Sequence, residues 1–350
     1  MFDSKYKDKT VLVTGDTGFK GSWLAIWLRE LGANVIGYSL NPGTEDDNYV
    51  VCGLAKKITH IDGDIRDQHS LKSVFDKYKP DIIFHLAAQS LVLESYNDPV
   101  ETYSTNVMGT VNILEMIRYI GSVKAAVIIT TDKCYENRES DYGYRETDRL
   151  GGKDPYSASK AACEIVINSY IQSFFNHDST ASVASARAGN IIGGGDWAEN
   201  RIIPDCIRSL RRDEPIVVRN PQAVRPWQYI LDPLSGYLKL GACLYKDGKE
   251  YSGAWNFGPK DTITVKGLVE EVIDKWGQGE LSISEQSNQN LEANLLYLDI
   301  SKALDELKWE PKLNIAESVK YTIDQYKVAN MSRDEVFQQR VKYINDYCKI

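Results

Sequence analysis

Tyr156 and Lys160 stand four residues apart in Tyr156-Ser157-Ala158-Ser159-Lys160, at the start of a stretch whose pattern predicts a helix. Residues i and i+4 share one helix face. A free tyrosine is a poor base at neutral pH, with a pKa of about 10, and a neighbouring ammonium favours the phenolate. A tyrosine tuned in this way can take the proton of a hydroxyl while the attached carbon gives up hydride. The spacing alone is common by chance, so its meaning depends on what precedes it. Upstream, Thr130-Thr131-Asp132-Lys133-Cys134 closes an apolar run. Thr131 can hydrogen-bond an oxygen that becomes a ketone. Asp132 and Lys133 are adjacent ionisable groups of the kind an elimination needs, one acid and one base.

A second constellation lies near the N-terminus. Gly15-Asp16-Thr17-Gly18-Phe19-Lys20-Gly21 follows the run Thr10 to Thr14 and opens a helical stretch. Glycines in a strand-to-helix turn let the backbone approach a pyrophosphate, which sits on the free N–H groups of the helix N-terminus. The strand before and the helix after supply the context that a bare glycine triplet lacks. Gly37-Tyr38-Ser39-Leu40-Asn41 ends the next run without the acidic residue that usually meets the adenosine ribose. The same segment carries no Arg or Lys, and Glu45-Asp46-Asp47 follows, so a 2′-phosphate would find little to pair with. NAD is favoured over NADP. Asp64 reads equally as an adenine contact and as a solvated turn carboxylate.

The elements that must position these groups alternate. Strands are expected at Thr10 to Thr14, Asn34 to Tyr38, Lys57 to Ile61, Asp81 to Leu86, Ala125 to Thr130, Val183 to Ala186 and Trp255 to Phe257. Helices are expected at Phe19 to Leu31, Ser70 to Lys79, Pro99 to Ile120 and Pro155 to Phe175. Such alternation predicts an α/β fold, a Rossmann-like doubly wound parallel sheet covered on both faces. After about Gly189 it weakens, and Pro, Gly and Arg become frequent up to Pro233. The expected division is a dinucleotide-binding domain over 1–188, with a return segment about 227–260, and a smaller, mostly C-terminal substrate-binding lobe from 189–226 and 261–350. Arg333 to Lys349 carries apolar residues at helical spacing and reads as a packed terminal helix.

The 350 residues carry a formal net charge of -8, which argues against a general nucleic-acid binder. The start of the chain is too polar for a signal peptide, and no window approaches a membrane span. Six dispersed cysteines without Cys-x-x-Cys read as reduced thiols in a cytoplasmic protein. His60, His69, His85 and His177 have no metal-ligand spacing, so no metal is expected.

Together these motifs resemble the extended short-chain dehydrogenase/reductase family. The glycine turn, Leu86-Ala87-Ala88, Thr105-Asn106-Val107, Thr131 and the Tyr156/Lys160 pair stand in that family's order, and the resemblance runs over most of the chain. Thr131-Asp132-Lys133, Gly152 to Ser157, Arg187 to Trp197 and Arg225-Pro226-Trp227-Gln228 place it nearest the branch of 4,6-dehydratases acting on CDP-linked sugars. Related dTDP-sugar enzymes carry Asp-Glu after the threonine. The chain departs from its branch at Ser90 and Leu93, where Pro and Arg are usual.

The resemblance implies an NAD-dependent lyase acting on CDP-glucose in three stages. Tyr156, helped by Lys160 and Thr131, takes the C4 hydroxyl proton as hydride passes to NAD. Asp132 then acts as acid and Lys133 as base in losing water across C5 and C6. Hydride finally returns to C6. Lys133 could act as a base only with a pKa well below the free value of about 10.4. Implied cofactor contacts are Gly15, Thr17, Gly18, Phe19, Lys20 and Gly21 in the turn, Ser39, Asp64 and Ile65 after the next strands, and Leu86, Ala87, Ala88, Gln89 and Thr105 beyond, besides Tyr156 and Lys160. Asn190, Arg201, Arg219 and Arg225 are candidates for the substrate phosphates, and for Arg201 and Arg219 a plain surface or ion-pair role is about as strong. Family helices equivalent to the two long ones pair across a two-fold axis, which implies a homodimer or a dimer of dimers. Val107, Val111, Leu114 and Ile117 on the first and Val166, Tyr170 and Phe174 on the second suit that face. A 4-epimerase would share the fold without needing Asp132 and Lys133. A non-catalytic dinucleotide sensor would tend to lose the tyrosine.

Overall fold

The β-branched runs pair as one sheet. In the computed structural model, which describes residues 2, 4–140, 142–176, 181–284 and 295–350, seven parallel strands are β1 (Thr10–Thr14), β2 (Asn34–Ser39), β3 (Thr59–Asp62), β4 (Ile82–His85), β5 (Ala125–Ile129), β6 (Ser182–Ala188) and β7 (Gly253–Phe257). His177, one of the four histidines considered above, lies outside the described residues. The spatial order is 3-2-1-4-5-6-7. The strand order reverses between β1 and β4, which are parallel hydrogen-bonded neighbours. Their C-terminal ends form the crevice where ligands bind in such sheets. β3 begins two residues later than expected because Leu54–Lys56 winds into a short 3₁₀ turn before it.

Alternation along the strands feeds two cores. Val11 and Val13 of β1 pack on one face with α1 (Phe19–Glu30), while Leu12 packs on the other with α2 (Gln68–Tyr78). α1 ends where Gly32 takes a left-handed φ of 81°, a conformation suited to glycine. The helix expected from Pro99 to Ile120 runs as α3 (Pro99–Tyr103), a π turn over Ser104–Met108, and α4 (Gly109–Ile120). The helix from Pro155 likewise runs as α5 (Pro155–Tyr170) and a π turn over Ile171–Phe175. Leu114 and Ile117 are buried against the molecule's own sheet and so cannot face a second copy. Val100, Tyr103, Met108, Tyr119, Ile165 and Phe174 are the large hydrophobic side chains these segments expose.

Beyond β6 the chain leaves the sheet. α6 (Ile202–Arg211), α8 (Val265–Trp276) and α9 (Ile315–Tyr326) enclose a third cluster around Ile207, Leu268 and Ile323, and α7 (Leu231–Asp247) returns to cover the sheet before β7. The tail departs from the boundaries expected above. α10 (Arg333–Lys349) lays Phe337, Ile344 and Tyr347 in the cluster that contains α1, with Tyr347 edge-on to Trp27 at 5.8 Å, so residues 333–349 pack on the sheet's side. Ala303, Leu307 and Trp309 join the same cluster. No helix among the described residues is long and apolar enough to cross a membrane.

Candidate active site

The glycine turn is built for close approach. Gly15 has φ 75°, and a Cβ there would lie 2.8 Å from the Ala87 nitrogen. A Cβ on Gly21 would lie 2.0 Å from the Gly15 carbonyl oxygen. Gly18 caps α1 with no side-chain hydrogen bond, which leaves the helix N–H groups open. Thr14 Oγ1 accepts from the backbone N–H groups of Leu86 and Ala87, both at 3.2 Å, tying the turn to the loop after β4. This cradle fits a pyrophosphate, with the N-terminal end of α1 supplying favourable charge. Around it the structure gathers Thr17 and Ser39, whose hydroxyls are 2.9 Å apart. Ile65 is buried against Gly109. Asp64 is partly exposed and paired with Arg66. Its two carboxylate oxygens are engaged by the Arg66 guanidinium, which holds its pKa below the usual carboxylate range. Thr105 sits on the π turn with its hydroxyl on Glu101.

Asn106 is the organiser that sequence reasoning passed over, although it stands in the quoted Thr105-Asn106-Val107. Its side chain accepts from the Gln89 N–H (2.8 Å), donates to the Gln89 carbonyl (3.0 Å) and donates to Ser159 Oγ (2.8 Å). Its carbonyl accepts from Thr110 Oγ1 and Cys163 Sγ. The loop after β4 is thereby pinned to α5.

Asp154 caps α5, accepting from the Ser157 N–H and hydroxyl at 2.9 and 2.6 Å, and Pro155 occupies the first turn. An acidic cap before proline is a legible helix start. It sets Tyr156 and Lys160 on one face, both buried. The expected tuning differs from what the surroundings give. Burial pushes the Tyr156 phenol up to about 12, against side-chain hydrogen bonding with Thr131 and the charge of Arg201. Lys160 donates to the Ile129 carbonyl at 3.2 Å and is itself pushed down by burial.

Asp132 is buried, and burial raises its pKa against the opposing pull of Lys133, Thr131 and Arg225. Oδ1 accepts from the Thr131 hydroxyl at 2.9 Å, while Oδ2 is buried without a hydrogen-bond partner among the described residues. Gly189 makes room for it, since a Cβ there would lie 1.9 Å from Oδ2. Behind this end of β5 lies a buried ion pair, Arg187 Nη2 to Glu164 Oε2 at 2.7 Å, which also holds Thr130, Ser185 and Tyr135.

Thr131, Asp132, Lys133 and Tyr156 open into one cleft of about 2020 Å³ between the sheet and the second lobe. Phe19, Lys20, Asn190, Arg201, Arg219 and Arg225 line it as well. Lys20 is pushed down to about 7 by burial and by the charges of Arg201 and Lys160. Arg201 is both cleft lining and ion pair, with Nη1 3.0 Å from Asp196 and Nη2 donating to Ser90 Oγ at 3.2 Å. Arg219 is exposed on the wall, and Arg225 lies near enough to Asp132 to lower its pKa. The arrangement unites a phenol, a hydroxyl, a carboxyl and an amine on one cavity, next to a dinucleotide cradle.

Comparison with known proteins agrees with this geometry. The chain is 44% identical to a CDP-glucose 4,6-dehydratase of Salmonella typhimurium, over 99% of this chain and 98% of that protein. A UDP-glucose 4-epimerase of Thermus thermophilus, solved with NAD, superimposes with a TM-score of 0.79 at 25% identity, covering 91% of this chain and 99% of that one. A dTDP-glucose 4,6-dehydratase of Bacillus anthracis, also solved with NAD, shares the fold with a TM-score of 0.77 at 22% identity, covering 92% and 97%. Residues 12–322 match the model of the GDP-mannose 4,6 dehydratase family, and the chain belongs to that family.

Proposed function

We propose that the chain removes water from CDP-glucose to give the CDP-linked 4-keto-6-deoxy sugar, with NAD as a cofactor used and restored in each turnover. The observation that carries the reading is the opening of Asp132 and Lys133 into the same cleft as Tyr156 and Thr131. Oxidation at C4 needs only the phenol and its partners. The adjacent carboxyl and amine suit the elimination that separates a dehydratase from an epimerase. The relative with 44% identity supports the choice of sugar nucleotide.

The glycine cradle and Thr17 would hold NAD. When bound, NAD would supply a hydride acceptor and a positive charge that favours the Tyr156 phenolate over the phenol. As the phenolate, Tyr156 receives the C4 hydroxyl proton while the Thr131 hydroxyl bonds the same oxygen. Lys160, fixed on the Ile129 carbonyl, stiffens the floor of the site. Asp132, raised towards its protonated form, delivers a proton to the departing C6 hydroxyl. Lys133 takes the C5 proton and later returns it. Arg225 and Asn190 face the substrate phosphates, with Arg201 and Arg219 further along the cleft.

Val100, Met108, Ile165 and Phe174 provide the apolar surface for a homodimer, and sedimentation of wild type against Met108→Asp tests it. All six cysteines are free, which suits a reducing cytoplasm. The function is tested by offering CDP-, dTDP-, GDP- and UDP-glucose and weighing the product. Loss of one water from CDP-glucose in preference to the others is expected. An epimer of unchanged mass would overturn the reading.

A further inference from the structure

β2 ends in Ser39 without an acid, yet a carboxylate reaches that place from another element. Asp16, inside the glycine turn, is fully buried and lies across β2 at Gly37, where a Cβ would sit 2.0 Å from its Oδ2. Oδ1 accepts the Ser39 hydroxyl proton at 2.8 Å. Oδ2 is 2.7 Å from His60 Nδ1 on β3, and His60 Nε2 is 3.1 Å from Asp62. Thr17 Oγ1 lies 2.9 Å from both the Leu40 carbonyl oxygen and Ser39 Oγ, and its backbone N–H donates to Ser39 Oγ at 3.3 Å.

We propose that Asp16 is a positioning residue that makes Ser39 and Thr17 a filter for the 2′ position of the cofactor's adenosine ribose, admitting a hydroxyl and rejecting a phosphate. The inference rests on the nicotinamide-dinucleotide reading above and says which dinucleotide the cradle takes. Both hydroxyl protons have partners inside the cluster, Ser39's in the Asp16 carboxylate and Thr17's in the Leu40 carbonyl or Ser39 Oγ. The cluster therefore has lone pairs, and no proton, to offer a ligand. A ribose hydroxyl can donate to such an acceptor. A 2′-phosphate has only acceptor oxygens and negative charge, so it meets lone pairs backed by a carboxylate. His60, with Asp16 on one side and Asp62 on the other, is outnumbered by carboxylates. Residues 39–54 contain no Lys or Arg to repay a phosphate. The acid usually read at the end of β2 has thus moved into the turn and acts through a serine.

The test is equilibrium binding of NAD and of NADP to cofactor-stripped full-length protein, by tryptophan fluorescence at fixed salt. Wild type should prefer NAD. Asp16→Asn turns the acceptor into an amide that can donate to Ser39 Oγ, which frees the serine proton to face a ligand. Ser39→Ala removes the acceptor and keeps the Asp16–His60 pair. In each variant the ratio of the NADP Kd to the NAD Kd should fall by about tenfold, the worth of one hydrogen bond to a charged group. A role confined to holding the turn together would weaken both cofactors alike and leave the ratio unchanged. An unchanged ratio in Ser39→Ala, or in a folded Asp16→Asn, overturns the inference while NAD binding stands. A wild type that binds neither dinucleotide overturns the cofactor reading itself, and the filter with it.

Discussion

Gly189→Ala is a small change aimed at one carboxyl group. The added carbon would stand 1.9 Å from Asp132 Oδ2, and ordinary contact begins at 3.4 Å, so one side must retreat by about 1.5 Å. The backbone of Gly189 is the stiffer side. It follows β6, which is hydrogen-bonded between β5 and β7, and its carbonyl accepts from Gln228 Nε2 at 3.0 Å. The Asp132 carboxyl therefore moves and gives up its 2.9 Å bond from the Thr131 hydroxyl. Misplacing a reacting group by about 1 Å costs about 10²-fold in rate, or about 2.7 kcal/mol of barrier. Overpacking costs about 1–3 kcal/mol of stability, within the reserve of about 5–15 kcal/mol of an ordinary domain. Oxidation at C4, which rests on Tyr156, should persist. Stopped-flow absorbance in the NADH band should rise on mixing with CDP-glucose, while rapid-quench mass spectrometry shows dehydration slowed about 100-fold. Dehydrated product at the wild-type rate would refute the reasoning. So would an equal loss of both signals in a folded protein.

Tyr156→Phe removes only the phenol oxygen and should cut turnover by roughly 10²–10⁴-fold with NAD binding retained, measured by steady-state kinetics and fluorescence titration. Lys133→Met should stall after oxidation, leaving a 4-keto sugar that still holds its C6 hydroxyl, and released dehydrated product at full rate would move the base elsewhere. Tyr135 and Glu136 are poor substitutes, the first bound to Arg187 and Asn256 and the second paired with Arg138. His60 should make stability fall with rising pH. Burial works against its charge, but Asp16 and Asp62 outweigh that and raise its pKa above the free value of about 6.5. A raised folded pKa gives stabilisation that is full below the free value and lost as pH climbs through the folded one. His60→Gln should flatten that decline in urea midpoints measured from about pH 6 to about pH 8.5, and parallel wild-type and variant curves would contradict it.

The strands were legible because a parallel sheet is covered on both faces, so Val11-Leu12-Val13 and Ile82-Ile83-Phe84 are apolar without interruption. Helix limits were legible at Gly32, Pro99 and Pro155, where backbone chemistry is local. The π turn over Ser104–Met108 was not, because its carbonyl partner Cys163 lies 57 residues away. Asp16–His60 and Glu164–Arg187 were hidden for the same reason, being pairs that only the fold brings together. The spacing of Tyr156 and Lys160 was visible. The burial that sets the phenol's pKa was not, since it depends on what packs around the pair. The face of α10 was readable, but its partner was not, because an apolar stripe does not name what it meets.

The position of β7 at the rim of the sheet has a consequence for how the protein is made. β6 leaves the ribosome with its outer N–H and C=O groups unpaired, and 64 residues must follow before β7 can close them. At about 5–20 residues per second that interval lasts roughly 3–13 s. A bare strand edge is a template for another nascent chain. β6 carries a safeguard in Arg187, a charge on an otherwise small-residue strand, and its partner Glu164 has already been synthesised. The excursion of the chain into its second lobe therefore imposes a lag during synthesis, in which aggregation competes with completion of the sheet.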